Sequence, residues 1–456
     1  HFIQFRVPTL VKDDMARISA VLALLLPAAC AGAPEPAVDP QDRLVVLISV
    51  DGLPADVLGD PTLHIPTLRR LMAEGATAEG LRCSFPTVTW PNHTTLVTGV
   101  PPAKHGVLAN SYYDRAQKKV VALLPDPLFD KDEIVKVPTV YDLAHAAGLK
   151  TAGIIWPASR NAKSLDWTVP DCGTKELWDK YGTASWMEEL RKDGIPVDLQ
   201  ESWVKNNGGV QRDWMYARAA AQVILKHHPN LVLLHLVEVD HVEHAKGPRT
   251  PDAAWAASQA DDRVRDVIEA ISASGRTDRT TVFVVSDHGF LGFTKQIHVG
   301  VALRKAGLQA ASVGQGGASF IYLSDPGDAE RAKTAFADVE GIRRILLPKD
   351  FPGVGMTTPD QDPRMSDLVL AANEGYSFTD SASGDATVTE TPLKGTHGYL
   401  PDDPKLYATF IAWGAGIRRG ARLPLTDSIH VAPTIARMLG LRFDHADGKP
   451  LLDILK

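Results

Sequence analysis

Apolar residues along the chain gather into short, nearly unbroken runs, and each run stops at a polar residue. Positions 44–50 read Leu-Val-Val-Leu-Ile-Ser-Val, and comparable runs occupy 150–156, 231–237 and 280–285. Aliphatic and β-branched runs of this length, without strict alternation, predict strands buried on both faces, as in a parallel sheet. Segments with helical spacing fall between them, at 66–74, 137–148, 214–227 and 251–274, with Gly148 placed to cap the second. A short strand is expected at 76–81. This strand–helix alternation predicts an α/β fold with a doubly wound, mostly parallel central sheet flanked by helices.

The pattern changes twice. Residues 157–212 lack clear periodicity yet carry Trp167, Trp178, Trp186 and Trp203, which predicts a lid or surface excursion. Residues 300–390 read as an inserted smaller α+β lobe, with strands at 316–323 and 366–371 and a helix at 328–339. The main domain resumes at Gly395, with a strand around 407–413 and a helix near 431–439.

The residues at which the strand runs stop are chemically alike. Asp51, Asp240 and Asp287 each follow a buried run, at the carboxyl end where ligands bind in open α/β sheets. Asp240 and His244 form an i, i+4 pair, which one helical turn would place on a common face. His288 adjoins Asp287, and His397 lies between two glycines that permit close approach to a ligand. Each residue alone has an ordinary explanation, since Asp-Gly at a strand end is common turn chemistry. Together, Asp and His in these numbers suit zinc, and they suffice for two ions able to clamp the oxygens of a phosphoryl transfer. His227, His228, His235 and His241 read instead as surface or core residues.

A further stretch, Ser84 to Gly99, ends a turn-forming run at Thr89 and continues as helix after Pro91. Pro in a first helical turn costs no hydrogen bond. Thr89 is therefore expected at a helix N-terminus, where free N–H groups and the dipole favour an anion such as phosphate. Its hydroxyl can serve as a nucleophile if its pKa is lowered, or simply as an N-cap.

Composition narrows the function. With 456 residues, 44% of them hydrophobic, the chain can bury a large core. Its net charge of -7 and lack of a basic run exclude a nucleic acid polymer as partner. Met15-Ala16-Arg17, the apolar run 18–26 and the small residues 27–33 resemble an export signal followed by a Pro- and Asp-rich linker, with Met15 as the start. Residues 1–41 are thus expected to be leader, signal peptide and linker before a catalytic domain over 42–456. The protein is expected to be exported, periplasmic or secreted, with Cys30 a candidate lipoprotein cysteine that Pro27 fits poorly. No later stretch is long and apolar enough for stable membrane insertion. Cys83 and Cys172 would be the cysteines of the mature chain, in a compartment that permits a disulfide. The sequence leaves their pairing and the oligomeric state open.

The motifs and their order resemble the nucleotide pyrophosphatase/phosphodiesterase group of the alkaline phosphatase superfamily. The matching pieces are Ser49-Val50-Asp51-Gly52, Thr89-Trp90-Pro91-Asn92-His93 with Val97-Thr98-Gly99, and His105-Gly106-Val107 with Asn110. They continue through Asp240 to His244, Ser286-Asp287-His288-Gly289 and Gly395-Thr396-His397-Gly398-Tyr399. The resemblance implies an alkaline phosphatase-like fold and Thr89 as nucleophile, passing through a covalent phospho-threonine. It implies two zinc ions, one held by Asp51, Asp287, His288 and Thr89, the other by Asp240, His244 and His397. Asn110 would hydrogen-bond a phosphate oxygen. The implied substrate is a small phosphate ester, a nucleotide-like phosphodiester or phosphoanhydride. The chain departs from the family at Glu238-Val239-Asp240, where Glu-Pro-Asp is usual, and at Trp90, where Phe is usual. Trp90 can stack on a substrate or pack against its helix. Arg160 is a candidate to reach the phosphate, which would favour monoesters. A phosphomonoesterase of the same superfamily is the main alternative, and a non-catalytic zinc-bound protein a weaker one. A sulfatase is excluded because Cys83-Ser84-Phe85-Pro86-Thr87 lacks the required Cys-x-Pro-x-Arg pattern.

Overall fold

Alternate residues of the strand Leu44–Val50 (β1) face two different cores. Leu44, Val46, Ile48 and Val50 pack on one side of the sheet with the helices Gly209–His227 and Pro251–Ala273. Val45 and Leu47 pack on the other with Val140, Leu96 and Ile435. A strand covered on both faces needs apolar residues at every position, which is why these runs do not alternate. The same division holds for Leu231–Leu236 and Thr280–Val285.

The computed structural model describes residues 38–123 and 129–456; the expected leader, with Cys30, lies outside them. Further strands of the main sheet are Ala76–Ala78 (β2), Thr151–Ile154 (β3), Trp167–Val169 (β4), Leu231–Leu236 (β5), Thr280–Val285 (β6), Phe410–Gly414 (β7) and Ala421–Leu423 (β8). Their order across the sheet is β8-β2-β7-β6-β1-β5-β3-β4. β1 pairs in parallel with β5 and β6, and β3 pairs in parallel with β5 and β4. β7 is the antiparallel exception, against β2 and β6. The doubly wound, mostly parallel sheet expected from the alternation is the sheet observed.

Residues 291–396 build outside this sheet. Ala310–Gly314, Ala318–Leu323, Ile342–Leu346 and Leu368–Ala372 form an antiparallel four-stranded sheet. Leu291–His298, Gly375–Thr379 and Val388–Thr396 form a three-stranded one that leads back to the main sheet.

Residues 157–212 differ from expectation. They supply the edge strand β4 and the helices Lys175–Tyr181, Ala184–Lys192 and Gln200–Lys205. Trp178 and Trp186 are fully buried in the larger core, and Trp167 and Trp203 pack against it. The helices are too short to show a sustained period, and tryptophan there marks packing, not an exposed lid. Trp186 donates its indole N–H to Gln222 Oε1 at 2.8 Å. No disulfide joins Cys83 and Cys172, both of which are buried. No described helix is long and apolar enough to cross a membrane.

If Trp186 is core, Trp186→Ala removes a large buried side chain and a hydrogen bond, and chemical denaturation should show a loss of about 3–5 kcal/mol. A loss below about 0.5 kcal/mol is what an exposed lid residue would give.

Candidate active site

β1 lies between β5 and β6, so three neighbouring strands deliver their carboxyl ends to one place. Asp51 follows β1 directly, and Asp287 follows β6 after Ser286. β5 passes into the helix Glu238–Lys246, which presents Asp240 and His244 on one face as their spacing implied. His397 follows the strand Val388–Thr396. Gly398 beside it has φ +90°, and a Cβ there would stand 1.8 Å from the Gln315 carbonyl oxygen, so only glycine allows this approach.

The six side chains point their potential ligand atoms at one another. His244 Nε2 and His397 Nε2 are 3.1 Å apart, and each is 3.4 Å from Asp240 Oδ1. His288 Nε2 stands 3.3 Å from Asp51 Oδ1 and 3.2 Å from Asp287 Oδ2. Asp51 Oδ1, Asp240 Oδ1, Asp287 Oδ2 and His288 Nε2 are all buried without a hydrogen-bond partner. Tetrahedral ligands on a zinc ion at about 2.0–2.1 Å are themselves about 3.3 Å apart. The donor atoms therefore fit metal ions in both type and spacing. They fall into two groups, Asp240–His244–His397 and Asp51–Asp240–His288, that share Asp240.

The other end of five of these side chains, all but Asp240, is tied down. Nδ1 of His244, His288 and His397 faces the backbone carbonyl of Gly395, Gly289 and Thr87 respectively, at 3.1, 3.2 and 2.9 Å. A carbonyl only accepts, so Nδ1 carries the proton and Nε2 keeps its lone pair for a metal. Asp287 Oδ1 accepts from the Gly52 N–H at 3.2 Å, and Asp51 Oδ2 takes the His235 ring at 2.9 Å.

Electrostatics set the same requirement. Burial, reinforced by Asp240, raises the Asp51 carboxyl well above its usual range. Burial and then Asp51 do the same to Asp287. Burial and then His397 hold His288 well below the imidazole range, and burial brings His397 down to about 4. Left to itself the site prefers to be neutral; its charged carboxylates need a cation beside them.

Thr89 is the first residue of the helix Thr89–Thr98, and Val88 holds the cap position without a side-chain bond. The Thr89 hydroxyl has no hydrogen-bond partner among the described residues, so it is not spent as an N-cap. Asn110 Oδ1 accepts the Trp90 N–H at 2.9 Å, which fixes its amide at the helix start. The preceding loop is held by Asn92, whose amide bridges Ser84, Pro86 and Val88. Thr87 ties that loop to the other side of the site: its Oγ1 accepts from Gly398 N and its carbonyl from His397.

Thr89, Asp51 and Asp240 line a pocket of about 240 Å³ whose walls include Asp171, Cys172, Gln200, Val204, Arg212, Tyr216 and His241. Two sequence-derived candidates lie elsewhere. The Trp90 ring is 1% exposed and packed among Val107, Leu123, Ile134 and Ala158, so it offers no face for stacking. Arg160 pairs with Asp130 at 2.8 Å and lies over the Tyr181 ring. Arg212 is the cation that does line the pocket. Near it, burial lifts Asp213 to about 6 and Glu238, with Asp213's help, to about 7. Asp213 accepts the N–H groups of Val237 and Glu238 and so pins the turn from β5 into the Asp240 helix. Arg212, Asp213 and His235 carried no motif, and Asn92 and Thr87, though within the stretch Ser84 to Gly99, carried no role of their own. For His235 the signal was present: one polar residue inside the buried run Leu-Val-Leu-Leu-His-Leu.

Comparison with known proteins agrees with this architecture. A family model described as type I phosphodiesterase / nucleotide pyrophosphatase matches residues 45–400. Human ectonucleotide pyrophosphatase/phosphodiesterase family member 7 is 25% identical over 454 residues, covering 96% of this chain and 88% of that protein. Human bis(5'-adenosyl)-triphosphatase ENPP4 is 21% identical over 403 residues, covering 87% and 78%. Among solved structures, murine ectonucleotide pyrophosphatase/phosphodiesterase 5, in an inactive threonine-to-alanine form bound to AMP, superposes with a TM-score of 0.72 at 19% identity. That match covers 91% of this chain and 100% of the other. The sheet, the gathered strand ends and the family match lead to one conclusion: the chain belongs to the type I phosphodiesterase/nucleotide pyrophosphatase family, whose members hydrolyse phosphodiester or pyrophosphate bonds.

Proposed function

We propose that the protein is a zinc-dependent hydrolase that cleaves phosphodiester or phosphoanhydride bonds of small, nucleotide-like substrates through a covalent phospho-threonine at Thr89. The observation that carries this reading is the convergence of unpartnered Asp and His atoms beside the free Thr89 hydroxyl. Asp51, Asp287, His288 and Thr89 would hold one zinc ion, and Asp240, His244 and His397 the other. Bound zinc would lower the pKa of a coordinated hydroxyl or water and neutralise developing negative charge on oxygen. Thr89 Oγ1 attacks phosphorus; as the new O–P bond forms, the bond from phosphorus to the leaving oxygen breaks. Water then displaces Thr89 from phosphorus and regenerates the hydroxyl. Asn110, its carbonyl oxygen held by Trp90 N–H, is left with an amide N–H to donate to a non-bridging oxygen. The helix start adds its dipole. Export fits the run 18–26 and the relatives' ecto- designation.

The choice of diester over monoester rests on what surrounds the nucleophile. A monoester's additional charge is usually met by Lys or Arg, and none occurs between Phe85 and Pro102. Arg160 is paired with Asp130. The pocket beyond Thr89 has room for an organic group instead. With Trp90 buried, that group would meet Gln200, Val204, Tyr216 and Arg212 in place of the Trp90 ring. Arg212 in turn suits a second phosphate of a phosphoanhydride.

Two measurements check this. Thr89→Ala should lower kcat for a p-nitrophenyl nucleotide diester by roughly 10⁴-fold without change in far-UV dichroism, while Thr89→Ser retains measurable turnover; near-normal turnover by the alanine variant overturns the nucleophile. In the wild type, kcat/KM for the nucleotide diester should exceed that for p-nitrophenyl phosphate by more than about tenfold, a difference of about 1.4 kcal/mol. The reverse order would make the protein a monoesterase.

A further inference from the structure

His235 lies on β5, paired with Ser49 of β1, and is 2% exposed. Its two ring nitrogens face two different oxygens. Nε2 is 2.9 Å from Asp51 Oδ2, and Nδ1 is 3.1 Å from the carbonyl oxygen of Ile155; both oxygens accept, so the ring serves both only with a proton on each nitrogen. The second partner is unusual: Ile155 has φ +53°, a left-handed conformation that a β-branched residue rarely adopts. It directly follows β3, the strand beside β5, and its carbonyl reaches across to the ring. The imidazole is further confined by His93, whose ring centroid is 4.2 Å away and which itself packs on Trp156.

The consequence falls on Asp51. A carboxylate has two equivalent oxygens and rotates between them unless one is held. With Oδ2 held by His235, Oδ1 is the oxygen left unpartnered, 3.3 Å from His288 Nε2. We propose that His235, anchored on the Ile155 carbonyl, is a positioning residue that locks the Asp51 carboxylate with Oδ1 aimed at the metal it shares with Asp287 and His288. The inference rests on the metal-site reading above. It assigns His235 no contact with metal or substrate: the residue acts through Asp51. Groups that orient a metal ligand in this way typically contribute 10–100-fold in metal affinity.

Two amides separate the two ends of the ring. Asn Nδ2 lies as many bonds from the backbone as His Nδ1, and Gln Nε2 as many as His Nε2. His235→Asn therefore keeps the donor for Ile155 and loses the one for Asp51; His235→Gln does the opposite. Metal-free protein would be titrated with zinc against a competing chelator, with bound zinc counted after dialysis and the metal-free melting temperature recorded. Wild type should bind two ions. His235→Asn should bind one of them about 10–100-fold more weakly and the other unchanged, whereas His235→Gln should stay within about threefold of wild type at both. Equal zinc affinities for the two variants, or an asparagine variant that binds both ions as wild type does, would reduce His235 to a packing residue and overturn the proposal. A glutamine variant that loses zinc while the asparagine variant retains it would also overturn it. Wild-type protein that takes up no zinc would overturn the metal reading, and this one with it. None of these outcomes depends on hydrolysis, so a wrong substrate assignment would leave the test intact.

Discussion

Three carboxylates, those of Asp51, Asp240 and Asp287, crowd together at adjoining strand ends, and among the described residues no lysine or arginine pairs with any of them. Their close neighbours are histidines, of which burial pushes His288 and His397 toward neutrality. Burying charge without a counter-ion is among the costliest arrangements a fold can hold. The rest of the site follows from this constraint. The far sides of Asp51, Asp287, His244, His288 and His397 are hydrogen-bonded to backbone or to a neighbouring side chain, while Asp51 Oδ1, Asp240 Oδ1, Asp287 Oδ2 and His288 Nε2 are left bare. Such a cluster is stable as charged carboxylates only around cations, so the packing itself makes these groups candidates to hold metal.

The fold delivers these groups through its connectivity. Parallel strands point their carboxyl ends the same way, and β5, β1 and β6 lie side by side. Strands that are apolar at most positions hold the sheet from both faces. The loop 84–88 then joins the two halves of the site. Asn92 stitches it to the Thr89 helix, and Thr87 fastens it to His397 and Gly398. The Thr89 helix and His397 are thus tied to one short segment, and a shift in either would be felt by the other.

What could be read from the sequence follows the same division. Asp51, Asp240 and Asp287 were legible because each ends a run that can only be a doubly buried strand, and His244 because helical spacing ties it to Asp240. His397 came from resemblance and flanking glycines, since its approach depends on contacts from residues 315–317 that no local pattern encodes. Trp90 and the tryptophans of 157–212 misled because aromatic side chains beside a nucleophile suggest stacking, while burial depends on helices too short to show a period. Arg212 and Asp213 sit near the start of a long helix, where a sequence shows only ordinary polar residues. The inserted strands between 291 and 396 were partly visible at 316–323 and 366–371, but their pairing into two separate sheets is a long-range property.

The central claim, that six side chains gather two metal ions beside Thr89, is tested most directly by crystals of zinc-loaded protein measured on both sides of the zinc absorption edge. The anomalous difference map should hold two peaks. One should lie in bonding contact with Asp51 Oδ1, Asp287 Oδ2 and His288 Nε2 next to the Thr89 hydroxyl, the other with Asp240 Oδ1, His244 Nε2 and His397 Nε2. A single peak, or zinc bound elsewhere while these atoms stay bare, would contradict the account.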